Sequence, residues 1–115
     1  MSVTRVPKPW GEEILFAHTQ KYAGKILRIR AGESLSLQYH ERKDECIYLY
    51  QGSLRLILPD APEGRRETLL PVGEAVHLPP GTRHRMEALS DCVVFEVSTP
   101  ELEDVVRLED RYGRV

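Results

Sequence analysis

The stretch that decides the fold is Gly32–Gly52, which reads GESLSLQYHERKDECIYLYQG. Within it Gln38 and His40 are two residues apart, so on a β-strand their side chains point to the same face. A short charged turn separates them from Glu45, whose carboxylate can return to the same interior from the neighbouring strand. The stretch therefore predicts two adjacent strands that carry polar, metal-binding side chains into one interior.

A second stretch, Gly73–Ala88, reads GEAVHLPPGTRHRMEA and supplies another candidate ligand, His84. The Pro79–Gly81 segment ahead of this histidine is a turn signal that would send a new strand back across the first pair. We therefore predict a single divalent metal site. Its ligands are Gln38, His40, Glu45 and His84.

The spacing in the first stretch resembles the first motif of the cupin superfamily, G-x5-H-x-H-x4-E-x6-G. Gly32, His40, Glu45 and Gly52 occupy fixed positions of that motif, and Gln38 replaces its leading histidine. The resemblance implies an all-β fold, the cupin jelly roll or double-stranded β-helix barrel, formed by residues 1–115 as a single domain.

The second stretch resembles the second cupin motif, G-x5-P-x-G-x2-H-x3-N. Gly73, Pro79, Gly81 and His84 match this motif, whereas Ala88 stands where asparagine is usual. The rest of the sequence agrees with a barrel or sandwich, because short alternating segments are separated by turn signals.

The two ends of the chain look less regular than the barrel. Residues 1–12 contain two prolines and predict a short irregular N-terminal arm, with Trp10 packed against the outside of a sheet. Residues 101–115 are charged and predict a C-terminal tail that forms either a short helix or an ordered arm.

Composition is that of an ordinary globular protein, because 41% of the 115 residues are hydrophobic and 30% are charged. This length suffices for one core. Sixteen basic and 18 acidic residues give a net charge of −2, which provides no general attraction to nucleic acid or anionic membranes. No apolar run approaches the roughly 20 residues of a membrane span.

Location and redox state follow from two further observations. The N-terminal MSVTRVPKPWG lacks the apolar core of a signal peptide, so we expect a cytoplasmic protein. Cys46 and Cys92 are isolated and lack CxxC spacing, so we expect reduced, buried thiols.

Strand parity also predicts an apolar surface outside the metal site. Leu35, Leu37 and Tyr39 lie opposite the candidate ligands of the first strand, and Tyr48 and Tyr50 lie outside on the next. Such a surface needs a second sheet or a partner subunit to cover it. We take a homodimer as the hypothesis.

The ligand set limits the choice of metal. Two imidazoles, one carboxylate and one amide oxygen suit Zn²⁺, Mn²⁺, Fe²⁺, Co²⁺ or Ni²⁺, and zinc is our first choice. Gln38 in place of a histidine shifts the set toward harder metals. Positions left open for two substrate oxygens would allow Lewis-acid catalysis.

The competing interpretation of these residues is that the four polar side chains are packed separately and do not form a metal site.

Further elements outside the cupin motifs form a more specific pattern. They are Pro9-Trp10-Gly11, Lys25, Leu35-Ser36-Leu37-Gln38 with His40, His84-Arg85-Met86-Glu87, Asp104-Val105-Val106-Arg107 and Asp110-Arg111-Tyr112-Gly113-Arg114. This pattern resembles the C-terminal domain of bifunctional type II mannose-6-phosphate isomerase/mannose-1-phosphate guanylyltransferase. The chain departs from that family at His40-Glu41-Arg42, where a run of histidines is common, and at Ala88. The sequence has no counterpart of the guanylyltransferase half, so nucleotidyl transfer is not expected.

The resemblance implies a metal-dependent isomerisation of mannose 6-phosphate to fructose 6-phosphate. Proton transfer between C1 and C2 requires a stabilised enediolate, which a metal touching O1 and O2 provides. The phosphate calls for guanidinium or ammonium donors. Arg107 and Arg111 occupy the matching positions, with Arg85 as a further candidate.

The general base must come within about 3 Å of the carbon-bound proton, and Lys25 is the first candidate. Lys25 shares a strand face with Leu27 and Ile29, so it lies in the cavity if they face the interior. The opposite interpretation places Lys25 at the mouth of the strand, reaching water. A metal-bound hydroxide or a non-ligating carboxylate is the alternative base.

Two other functions compete with the isomerase. One is a non-catalytic cupin that binds a sugar or another small molecule, which the missing histidines and the small size favour. The other is an iron cupin dioxygenase, but such enzymes typically use three histidines, and Gln38 counts against this reading.

Overall fold

The computed structural model describes residues 2–115, and this part of the chain is built from strands joined by turns, without a helix. The strands are β1 (Thr4–Lys8), β2 (Gly11–His18), β3 (Ala23–Ile29), β4 (Leu37–Tyr39), β5 (Glu45–Gln51), β6 (Leu54–Ile57), β7 (Glu67–Leu70), β8 (Ala75–Leu78), β9 (Arg85–Ala88), β10 (Cys92–Ser98) and β11 (Val106–Glu109). Residues 2–115 accordingly offer no helix long and apolar enough to cross a membrane.

One layer of the barrel is a six-stranded antiparallel sheet in the order β1-β2-β3-β10-β5-β8. Side chains on β5 and β10 alternate as period-two strands require. Ile47, Leu49 and Val94 point inward and are fully buried. Tyr48 and Phe95 point outward and stack on each other.

The opposite layer combines a three-stranded sheet, β7-β6-β9, with the pair β11-β4. Two isolated bridges, Ser34↔Glu87 and Gln38↔His84, connect these two small sheets. The core lies between the layers, because buried residues from both belong to one cluster. It includes Leu27, Ile29, Ile47, Leu49, Leu54, Leu56, Leu70, Met86 and Val94. The predicted all-β jelly roll is confirmed.

The prediction of an irregular N-terminal arm is wrong. Thr4–Lys8 forms β1, an edge strand of the large sheet, where Pro7 is tolerated because an edge residue need not donate to a neighbouring strand. Trp10 is part of the core and not a plug outside the sheet. Gly11 permits this inward turn, since a Cβ there would lie 1.8 Å from the carbonyl oxygen of Arg28.

The C-terminal tail is an ordered arm that contains a strand, not a helix. Val106–Glu109 pairs with β4 and so places the tail beside the first cupin motif. Leu35 also differs from its prediction, because it is buried in the core. Since β4 begins only at Leu37, strand parity does not extend back to Leu35.

The outward side of the large sheet carries the exposed Tyr48 and Tyr50 and the half-buried Phe95, which together we call the outer aromatic surface. The ring of Phe95 stacks with Tyr50 at 4.9 Å and with Tyr48 at 6.0 Å between centroids. The cysteines are free, with Cys92 buried and Cys46 half-buried.

Candidate metal centre and its cavity

Three of the predicted ligands meet where three strands begin or end. His40 directly follows β4, Glu45 opens β5, and His84 directly precedes β9. Gln38 and His84 form an antiparallel bridge in which each backbone amide donates to the other residue's carbonyl, at 3.0 and 2.9 Å. This bridge brings the second cupin motif against the first.

The ligand atoms of His40, Glu45 and His84 all lie within 4.8 Å of one another. Glu45 Oε1 lies 2.9 Å from His40 Nε2 and 3.3 Å from His84 Nε2. All three residues are buried, with exposed fractions of 4%, 3% and 1%. The imidazoles thus converge on a carboxylate through their Nε2 atoms in a site shielded from water.

Backbone carbonyls hold the other nitrogen of each ring. His40 Nδ1 donates to the carbonyl oxygen of Asp104 at 2.5 Å, and His84 Nδ1 donates to that of Thr82 at 3.0 Å. A carbonyl oxygen can only accept, so each Nδ1 carries hydrogen and each Nε2 is directed to the centre. Metal-binding histidines are commonly oriented in this way.

Two atoms of the cluster lack hydrogen-bond partners among residues 2–115, namely Glu45 Oε2 and His84 Nε2. Buried polar atoms without partners destabilise a folded protein unless something satisfies them. A divalent cation coordinated by two imidazoles and a carboxylate would satisfy both atoms. The donor set and its geometry therefore fit a metal ion.

Glu45 is an anion in this environment. Burial acts to raise the pKa of Glu45, but the adjacent His40 and His84 side chains and the charge of Lys43 outweigh burial and hold its pKa below the ordinary value. Lys43 Nζ lies 3.5 Å from Glu45 Oε2. The carboxylate is consequently in the form that binds metals.

Gln38, the fourth predicted ligand, lines the cavity beside His40. Its Oε1 accepts a hydrogen bond from Ser36 Oγ at 2.7 Å, which fixes the direction of the amide. A carbonyl oxygen has two lone pairs, so this bond leaves one for a cation. The structure thus brings His40, Glu45 and His84 into one cluster and Gln38 into the adjoining wall.

Beside His40 and Gln38 lies a cavity of about 110 Å³ with a strongly basic lining. Its charged walls comprise five cationic and two acidic residues. They are Lys8, Lys25, Lys43, Arg107 and Arg114 against Glu13 and Glu96. This balance favours an anionic ligand.

Lys25 lies in the cavity and does not reach out to water. Its Nζ donates to Glu13 Oε1 at 2.7 Å, and Lys8 Nζ lies 3.8 Å from the other oxygen of Glu13. Glu13 is therefore shared by two ammonium groups. Sequence reasoning missed this partner, although a buried lysine requires one.

The candidate phosphate-binding arginines have different surroundings. Arg107 pairs with Gln38 across β11 and β4 and lines the cavity. Arg111 is exposed and donates to the carbonyl oxygen of Gly32 at 2.5 Å, outside the cavity lining. Arg85 donates to the carbonyl oxygen of Leu35 and likewise lies outside. Arg114, which the sequence analysis did not single out as a candidate, lines the cavity.

A buried charged pair, Lys43 and Glu96, lies behind the ligands with Nζ and Oε2 3.2 Å apart. Burial and the nearby charge of Glu45 raise the pKa of Glu96 to about 7, against the opposing charge of Lys43. Sequence reasoning missed this pair as well. The inward parity of Glu96 with Val94 was the available signal.

The fold and the centre define a cupin. A family model described as a cupin domain matches residues 25–98, and the chain belongs to this family.

Several curated proteins are similar to this chain over nearly its whole length. Mannose-1-phosphate guanylyltransferase ManC of Salmonella typhimurium is 32% identical, in an alignment covering 96% of this chain and 23% of that protein. The mannose-1-phosphate guanylyltransferase of Escherichia coli K12 is 31% identical, with the same coverage. The xanthan biosynthesis protein XanB of Xanthomonas campestris is 27% identical, covering 96% of this chain and 24% of that protein. The chain spans about a quarter of the length of these relatives.

Solved structures share the fold. KdgF from Halomonas sp. superposes with a TM-score of 0.74 and 24% identity, covering 90% of this chain and 91% of that one. Oxalate decarboxylase of Lactobacillus farciminis gives a TM-score of 0.76 and 16% identity, covering 92% of this chain and 33% of that one.

Proposed function

We propose that the protein is a metal-dependent aldose–ketose isomerase that interconverts mannose 6-phosphate and fructose 6-phosphate in the cytoplasm. The observation that carries this proposal is that the His40–Glu45–His84 cluster adjoins, through His40, a cavity with an excess of cationic residues. The cluster suits a metal, and the cationic walls suit a phosphorylated ligand. The similarity to proteins named for mannose 1-phosphate supports a sugar-phosphate ligand.

The ligand residues would be His40, Glu45 and His84, with Gln38 as the fourth. A bound divalent metal would polarise adjacent sugar oxygens and stabilise the negative charge that develops when a carbon-bound proton leaves. The protein's own contribution is to fix the imidazoles through their Nδ1 atoms and to exclude water from the buried cluster.

Proton transfer falls to the Lys25–Glu13 pair in this proposal. An ammonium group has no lone pair, so Lys25 held 2.7 Å from a carboxylate cannot accept a proton in that form. The Glu13 carboxylate can accept it, and it is a non-ligating carboxylate of the kind expected as the alternative base. Lys25 then orients Glu13 and balances its charge.

The test is an assay of protein reconstituted separately with Zn²⁺, Mn²⁺, Fe²⁺, Co²⁺ and Ni²⁺, with fructose 6-phosphate formation as the readout. We expect turnover with at least one metal and loss of turnover in His84→Ala. Glu13→Gln should lower kcat by about 100-fold or more, the range for a general base. His77→Ala is the control, because His77 is exposed and contacts Asp44 on the surface.

The second candidate is a non-catalytic cupin that binds a sugar phosphate. The observation that favours it is the ion pair of Lys25, which occupies the first candidate for the base. Tight binding of mannose 6-phosphate without turnover in any metal form would select this candidate over the isomerase.

A further inference from the structure

The charged residues of the cavity are not equally available to a ligand. Lys8 and Lys25 contact Glu13, and Lys43 contacts Glu96. The acidic residues of the lining are thus engaged by lysines. The two arginines of the lining, Arg107 and Arg114, belong to the C-terminal arm and lie apart from these contacts.

Arg107 has an unused donor. Its Nε is buried and has no hydrogen-bond partner among residues 2–115. A guanidinium donor that is shielded from water and unpaired calls for an acceptor. Because Arg107 lines the cavity, a ligand in the cavity can supply this acceptor.

Arg114 is held in a fixed orientation. Its Nε and Nη2 donate to the two oxygens of Asp110 at 2.8 and 2.9 Å, and the Asp110 side chain is inaccessible to solvent. The guanidinium also lies 5.8 Å from the centroid of the Tyr112 ring. Such a fork leaves Nη1 outside the Asp110 contact, in a plane that the protein has already set.

The other residues of the arm keep Arg114 in place. Arg111 donates to the carbonyl oxygen of Gly32, and the Tyr112 hydroxyl donates to Glu33 while accepting from the Ser34 amide. These contacts attach the arm to the segment that precedes β4. Their position explains why Arg111 lies outside the cavity whereas Arg114 lines it.

The cavity is too small to enclose a whole sugar phosphate. At about 110 Å³ the cavity is smaller than the roughly 300 Å³ at which ligand pockets usually begin. A phosphorylated hexose with its sugar at the metal ligands would therefore extend beyond the enclosed space. Arg107 and Arg114 line the cavity and are not paired with its acidic residues, so they are donors available to the phosphate.

We infer that Arg107 and Arg114 form a subsite for the phosphate of the ligand, and that Asp110 is a positioning residue for Arg114. The subsite takes a tetrahedral oxyanion, which accepts hydrogen bonds from Arg107 Nε and Arg114 Nη1. This inference rests on the proposed sugar-phosphate ligand but not on its isomerisation.

The test is calorimetric titration of the metal-loaded protein with mannose 6-phosphate, mannose and inorganic phosphate. We expect Arg107→Gln and Arg114→Gln each to weaken mannose 6-phosphate binding at least about tenfold and to leave mannose binding unchanged. Inorganic phosphate should bind the wild type and lose affinity in the same variants. A wild type that binds inorganic phosphate as tightly as mannose 6-phosphate, with both affinities falling equally in the arginine variants, would assign the subsite to free phosphate.

One further variant distinguishes the orientation of Arg114 from its charge, and another serves as a control. Asp110→Asn should weaken mannose 6-phosphate binding while sparing mannose, because Arg114 keeps its charge but loses its fixed plane. Arg83→Gln is the matched control and should bind as the wild type, since Arg83 contacts Asp60 away from the cavity. If Arg114→Gln does not fold, the binding of mannose 6-phosphate to Arg107→Gln is the test of the subsite.

The inference is overturned if wild-type affinity for mannose 6-phosphate persists in both arginine variants, or if the wild type binds neither mannose 6-phosphate nor inorganic phosphate. Absence of turnover with intact, arginine-dependent binding would instead reject only the isomerase activity.

Discussion

His40 Nδ1 lies 2.5 Å from the backbone carbonyl oxygen of Asp104. The carboxylate of the same Asp104 accepts hydrogen bonds at 2.7–3.0 Å from the backbone amides of residues 41–43, the turn that leads from His40 to Glu45. One residue of the C-terminal arm therefore orients a candidate ligand and fixes the turn between two of them. The candidate metal centre thus depends on a residue far away in sequence.

We predict that Asp104→Ala weakens metal binding by about 10- to 100-fold, the usual effect of removing a group that supports a metal ligand. The reason is that three amides of the turn lose their acceptor. Competition with a chelator measures the metal Kd. Asp60→Ala is the control, because Asp60 contacts Arg83 on the surface. Equal metal affinity in the Asp104 variant and the wild type would contradict the prediction.

Stability should fall at acid pH through Asp104 and Asp110. Backbone hydrogen bonds, first from Arg42, lower the pKa of Asp104 to about 2, and the hydrogen bond from Arg114 lowers the pKa of Asp110 to about 2. A depressed folded-state pKa means that the stabilisation is present above the ordinary value near 3.8 and is lost as the pH falls to about 2.

Urea unfolding of the metal-free protein between about pH 2 and pH 7, from these folded-state pKa values to well above the ordinary one, checks this behaviour. The wild type should lose stability as the pH falls through this window. The double variant Asp104→Ala/Asp110→Ala should have a smaller free energy of unfolding at pH 7, and this free energy should depend less on pH. Parallel curves would assign the acid sensitivity to other carboxyl groups.

Lys43→Met should destabilise the protein by about 3–5 kcal/mol, because it leaves the buried Glu96 and Glu45 carboxylates without their ammonium partner. Lys43→Met/Glu96→Met should recover part of that loss. Urea unfolding at pH 7 gives both free energies. Arg55→Ala is the control and should cost less than about 1 kcal/mol, since the Arg55–Glu87 pair is more exposed. A loss of stability in Lys43→Met as small as that in Arg55→Ala would contradict the prediction that Lys43 stabilises the buried carboxyl groups.

Metal should stabilise the folded protein. At a free metal concentration of 100 times its Kd, binding to one folded-state site adds about 2.7 kcal/mol to the free energy of unfolding. Excess chelator should remove this gain, and Glu45→Gln should lack most of it because the anionic ligand is gone. Thermal unfolding with and without metal is the measurement. An equal gain in Glu45→Gln would locate the metal elsewhere.

The outer aromatic surface predicts a homodimer. Tyr48 and Tyr50 are exposed beside Phe95, and exposed aromatic clusters commonly mark protein interfaces. Sedimentation should therefore give a species of twice the 13.2 kDa chain mass. Tyr50→Lys should shift it toward the monomer by placing a charge in the interface. A wild-type species of 13.2 kDa would exclude the dimer.

Much of the barrel could be predicted because its signals are local. The motif glycines, the Pro79–Gly81 turn and the parity of Gln38 and His40 each depend on neighbouring residues. The strand at Thr4–Lys8 was missed because Pro7 argues against a strand, whereas an edge position tolerates it. Local sequence does not reveal which strand becomes an edge.

The site was predicted less completely, because its supporting contacts join distant segments. Lys25 could be placed in the cavity by parity, but its partner Glu13 lies on another strand. The position of Arg111 outside the cavity could not be predicted for a related reason. Only the folded arm shows that Arg111 donates to the carbonyl oxygen of Gly32, while Arg114 contacts Asp110 and lines the cavity.

Trp10, the single tryptophan of the chain, is buried in the wall of the cavity that adjoins the candidate ligands. Its indole is thus an intrinsic fluorophore located at the metal centre. An open-shell ion such as Co²⁺ bound close to the indole should quench its emission, whereas closed-shell Zn²⁺ should change the intensity far less. Loading of the centre can accordingly be followed optically, without a label and in competition between ions.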